Sequence, residues 1–107
     1  MNVDDLIEEV IAREGGYVDH PADRGGPTRW GITEAVARAH GWTGAMRHLP
    51  HADAVRIYRR IYWLRPGLDA VAARMPALAA ELFDTGVNMG PGVAAGFLQR
   101  SLNALNR

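Results

Sequence analysis

Among the residues equipped for chemistry, Glu14 stands first because of where the pattern puts it. Val3, Leu6, Ile7, Val10 and Ile11 recur at the i, i+3, i+4, i+7, i+8 spacing of a helix with one buried face, and position 14 is the next place on that stripe. Gly15 and Gly16 stop the helix directly behind it. A carboxylate so placed is expected to sit in a dry seat at the helix end, where burial and the negative end of the helix dipole both favour its protonated form. A carboxyl that keeps its proton near neutral pH is what general-acid catalysis requires. The competing reading is a solvated glutamate at a fraying helix end, the ordinary condition of that residue type.

Other constellations are thinner. His20, His40, His48 and His51 lack the spacing of a metal site, and Asp19 and Asp23 lack the rest of a calcium loop, so no metal is expected. Ser101 is the one serine, and no nucleophile-elbow glycines surround it. Gly25 and Gly26 are not followed by the Lys-Ser/Thr of a phosphate loop. The absence of cysteine excludes disulfides and thiolate metal sites.

A chain of 107 residues can build one modest core with a partly enclosed cleft. Its 12 basic and 12 acidic residues cancel, which argues against nucleic acid as a partner, since phosphate binding shows as a basic excess. Affinity for any anionic polymer must then come from a shaped cleft. The N-terminus, Met1-Asn2-Val3-Asp4-Asp5, is acidic where a signal peptide is basic, and no apolar run reaches membrane-spanning length. The expectation is a chain made in the cytoplasm without a signal peptide or membrane insertion.

The elements that must position Glu14 follow in order. Asn2 is a cap for the first helix, which should run to about Glu14. From Gly15 to Gly31 there are five glycines and two prolines, too many for a helix interior, so an ordered loop or small hairpin-like excursion is expected, with Asp23-Arg24-Gly25-Gly26-Pro27 as its tight turn. Thr33 caps a short helix ended by Gly41, and Gly44 to Leu49 form another helical turn before Pro50. A helix over Ala52 to Trp63 should bury Val55, Tyr58, Ile61 and Tyr62. Asp69 is expected to cap a short piece through Arg74. Pro76 opens a helix from about Ala77 to Met89, with Leu78, Leu82, Phe83, Gly86 and Val87 on one side and Glu81, Asp84 and Asn88 on the other. The polar trio either faces water or lines a cleft. Past Gly90-Pro91-Gly92, Val93 to Leu105 begin a helix whose apolar residues need a partner surface.

Read as a set, Glu14-Gly15-Gly16-Tyr17, Asp23 with Gly25-Gly26 and Thr28, Gly31-Ile32-Thr33, Tyr62-Trp63, and Phe83-Asp84 through Val87-Asn88-Met89-Gly90 resemble the glycoside hydrolase 108 family. These are lysozyme-like N-acetylmuramidases of bacteriophages and bacteria, also described as secretion-associated muramidases. The resemblance implies a mainly α, lysozyme-like α+β domain that cuts the glycan strands of peptidoglycan without metal or organic cofactor. It makes Glu14 the catalytic acid. It also divides the chain into a catalytic domain over 1–91 and, over 92–107, the start of a peptidoglycan-binding-like module that longer members carry in full. The sequence departs from the family at Asp19-His20-Pro21, where Asn-Asp-Pro is usual, and at Met89, where His is common.

Cutting a glycosidic bond takes one carboxylic acid to protonate the leaving oxygen and usually a second carboxylate to activate water or attack the sugar. Asp23 is the choice for the second group, its spacing from Glu14 being similar to that in phage lysozymes of the T4 type; its other reading is a turn residue or an ion-pair partner of Arg24 or Arg29. Thr28 is placed to hold a water on the far side of the sugar. Tyr17, Trp30, Tyr62 and Trp63 offer faces for sugars, although large aromatics dominate small cores. Asp84 and Asn88, one turn apart, suit an N-acetyl group. The leading expectation is a monomeric muramidase acting at the cell wall, with a holin or a secretion system carrying it out. Lytic transglycosylase action and an inactive sugar-binding or assembly module are the alternatives.

Overall fold

The computed structural model describes residues 2–19 and 26–90. Asp23, the 23–27 turn as far as Gly25, and the expected helix beyond Gly92 lie outside the described residues. The fold is mainly helical with one small antiparallel sheet, the lysozyme-like α+β class expected. The chain gathers into two compact units, residues 1–57 and 58–107.

The first unit opens with α1, Val3–Glu14. Asn2 caps it in a reciprocal box: its side chain accepts from the Asp5 backbone N–H at 3.0 Å, and the Asp5 carboxylate accepts from the Asn2 N–H at 3.4 Å. Ile7, Val10 and Ile11 are buried, as the apolar stripe requires. Three two-residue strands follow, β1 Tyr17–Val18, β2 Thr28–Arg29 and β3 Ile32–Thr33, paired antiparallel in that order. Thr33 then caps α2, Glu34–Ala39, through its side-chain oxygen and the Val36 N–H at 3.3 Å. A 3-10 turn over Met46–His48 leads through Pro50 into α3, His51–Arg59. Among the described residues the buried apolar side chains of this unit are completed by Ile32, Ala37, Met46, Leu49, Ala54 and Ile57.

The expected helix over Ala52 to Trp63 is corrected in its second half. From Arg60 to Leu64 the backbone is a π turn, closed by Arg65 N–H to Arg60 O at 3.0 Å. The wider turn moves the buried stripe: Ala54, Ile57, Tyr58 and Trp63 are buried, while Val55, Ile61 and Tyr62 are half-buried. Trp63 follows Tyr58 by five residues, the spacing of a π turn and not of a 3.6-residue helix.

The second unit continues with α4, Leu68–Arg74, and α5, Pro76–Met89, which pack on each other. Gly67, at φ 77°, takes the position before α4, so Asp69 lies inside the first turn and is not its cap. Pro76 sits at the start of α5 as expected. Ala79, Leu82, Phe83 and Gly86 face inward on α5, and Glu81, Asp84 and Asn88 are exposed on the other side. Among the described residues no helix is long and apolar enough to cross a membrane.

Candidate active site

Glu14 is the last residue of α1. Gly15 turns the chain at φ 61° and closes the helix with its N–H on Ile11 O at 2.8 Å, so the backbone leaves α1 immediately after Glu14 and enters β1 at Tyr17. The expectation of a dry seat is overturned: Glu14 is exposed. The stripe position gives the direction of the side chain but not the depth of cover. At the final turn no further helical residues follow to shield it, and a long polar side chain swings its head to water. A general acid at this position would need its dryness from a bound substrate excluding water and not from the protein's core.

The sheet sorts the loop residues into two faces. Tyr17 is paired with Arg29 and Arg29 with Ile32, so these three share one face; Val18, Thr28 and Thr33 share the other. Tyr17 is 38% exposed, its hydroxyl 3.4 Å from Asp19 Oδ2 and its ring 6.0 Å from the Arg47 guanidinium. Thr28 is half-buried.

The β2–β3 connection is a two-residue turn in which Trp30 and Gly31 both have positive φ, 57° and 78°. This is the backbone sign pattern of a type I′ hairpin, which favours Asn-Gly and suits the twist of short strands. For a tryptophan the left-handed conformation costs roughly 1–2 kcal/mol. Contacts of the indole offset that cost. Its N–H donates to Leu49 O at 2.9 Å, its ring meets His51 edge-on at 5.5 Å, and the Arg29 guanidinium lies 4.3 Å over it. His51 Nε2 in turn lies 3.0 Å from Glu8 Oε2 on α1. The sequence points to Trp30 as a core aromatic or a sugar face and not as a turn residue. The signal available for its turn role was a residue-glycine pair ahead of the β-branched Ile32-Thr33.

The remaining described candidates belong to the second unit. Trp63 is 8% exposed and packs at a steep angle on Phe83, ring centres 6.2 Å apart, so its faces are committed to the core. Tyr62 is half-buried, 5.7 Å from the Tyr58 ring, and burial raises the pKa of its phenol. Asp84 and Asn88 occupy adjacent turns on the exposed side of α5. Among the described residues no group of three or more His, Asp or Glu side chains is arranged to hold a metal ion.

Comparison with known proteins gives two findings. The sequence model of one family, glycosyl hydrolase 108, matches residues 7–90, a span that holds every candidate named above. Among solved structures, the chain is similar to that of SagA from Brucella abortus, with 32% identity and a TM-score of 0.72 over 92% of this chain. It spans 57% of that protein's length. No curated protein matches the chain.

Proposed function

The chain belongs to the glycosyl hydrolase 108 family, and from that premise we propose that it is a peptidoglycan hydrolase, a lysozyme-type N-acetylmuramidase cutting between N-acetylmuramic acid and N-acetylglucosamine. The observation that carries this reading is the placement of Glu14: within the matched span, at the very end of α1, followed at once by the glycines and the sheet. In this reading Glu14 protonates the leaving oxygen and Asp23, from the loop between β1 and β2, is the second carboxylate. Thr28 holds the attacking water. With room for that water between the two carboxyl groups, the reaction inverts the anomeric centre.

Tyr17 and Tyr62 give aromatic surface to the sugars, and Asp84 and Asn88 bind an N-acetyl group. Trp63 is left out of the sugar-contacting set, because its ring is already packed. The site of action is the cell wall, reached with the help of a holin or a secretion system, and the working form is a monomer.

Mass analysis of the products from purified peptidoglycan tests the reaction type. Reducing-end muropeptides are the expected outcome. Anhydro ends would make the protein a lytic transglycosylase, and retention on the polymer without product would make it a binding module.

A further inference from the structure

We propose that Trp30 is a positioning residue for the reaction: its indole clamps the β2–β3 hairpin so that Thr28 is held at the reacting sugar, a role that rests on the hydrolase reading above. Two observations point there independently. A tryptophan occupies the first position of a turn whose backbone favours asparagine or glycine, and strain of this kind persists only where the surroundings over-determine it, typically next to functional groups. The indole is also engaged on several sides, by the Leu49 carbonyl, the His51 ring and the Arg29 guanidinium.

These contacts tie the hairpin to two places that do not belong to the sheet. Leu49 is buried just after the 3-10 turn, and β2 lies against that turn, so the indole bond fixes the hairpin to a rigid part of the core. His51 begins α3 and reaches Glu8 at 3.0 Å. Glu8 lies on α1, the helix that ends in Glu14. A line of contacts therefore runs Trp30, His51, Glu8, with Thr28 two residues before its start and Glu14 on the helix at its end. Thr28 is also the register partner of Thr33, so a hairpin that rocks about its tip moves Thr28 with it. An error of about 1 Å in the placement of a reacting group lowers turnover by about a hundredfold.

The variant Trp30→Asn separates positioning from folding, because Asn-Gly relieves the turn strain while removing every indole contact. It is assayed beside wild type and Glu14→Gln on soluble glycan fragments, with circular dichroism showing that each is folded at the assay temperature. The expected result is a fall in kcat of about tenfold to a hundredfold with KM within about twofold of wild type, and faster amide exchange across Thr28 to Thr33. Trp30→Phe, which keeps an aromatic edge for His51 but loses the N–H bond to Leu49, should fall between the two; it decides the matter if Trp30→Asn does not fold. A rise in KM with kcat intact would make Trp30 a sugar-contacting face and overturn the proposal, as would wild-type kcat in a folded variant. Those outcomes leave the hydrolase reading standing, whereas a wild type that yields no product overturns both.

Discussion

Tyr17 and Thr28 lie on opposite faces of the small sheet: Tyr17 is paired with Arg29, and Thr28 with Val18. A glycan strand laid against one face meets the other residue only around the sheet edge. The two therefore contribute in different ways, although both were read from the sequence as substrate contacts. In the proposed reading Thr28 holds the attacking water, and on that reading it should act on the chemical step. Thr28→Ala is expected to lower kcat by about tenfold to a hundredfold with little change in KM. Tyr17→Ala should raise KM by a few fold at most and leave kcat near wild type. Steady-state kinetics on soluble glycan fragments checks the pair, and the reverse pattern would put the substrate on the Tyr17 face.

Removing the cap of α1 is a test of how the helix that carries Glu14 is held. The Asn2 side chain satisfies the Asp5 N–H, and Asp5 satisfies the Asn2 N–H in return. Asn2→Ala should cost about 1 kcal/mol, which in a domain of this size lowers the thermal midpoint by roughly 4–8 °C. Thermal melts followed by circular dichroism measure it. An unchanged midpoint would mean that the cap adds nothing to the hold that Ile7, Val10, Ile11 and the Glu8–His51 contact give α1.

Much of the helical frame was legible because its signals are local. The Asn2 cap, the Thr33 cap and Pro76 each mark a helix start by a hydrogen bond or a fixed φ that needs no distant partner. The small sheet was legible only as an ordered loop or hairpin-like excursion without placed strands, since two-residue strands are too short for alternation to show. The sequence points to Trp30 as a core aromatic or a sugar face and not as a turn residue, because a bulky residue at positive φ contradicts local preference and is held there by contacts from Leu49 and His51. The π turn at Arg60–Leu64 was invisible to a 3.6-residue pattern, and it exchanged Tyr62 for Trp63 in the core. Burial of Glu14 was misjudged for a different reason. Periodicity tells which way a side chain points, and the depth of cover depends on what lies beyond the helix end.

Alkaline stability should report on Tyr62. Burial raises its phenol pKa above the usual 10.0. The fold therefore favours the neutral phenol. That contribution is fully present below the unfolded-state value and is lost as pH rises through the higher folded one. Melting temperatures measured from pH 8 upward should fall more steeply above about pH 10 in wild type than in Tyr62→Phe. Parallel curves for the two proteins would show that the phenol is not the group being charged.

The most direct test of the whole account is the turnover of purified peptidoglycan by wild type and by Glu14→Gln, compared as folded proteins at equal concentration. An amide of the same size cannot give up a proton to the leaving oxygen, so the variant should lose at least about a hundredfold in kcat while still binding the polymer. Release of reducing ends by Glu14→Gln at the wild-type rate would contradict the assignment of the α1 terminus as the catalytic centre.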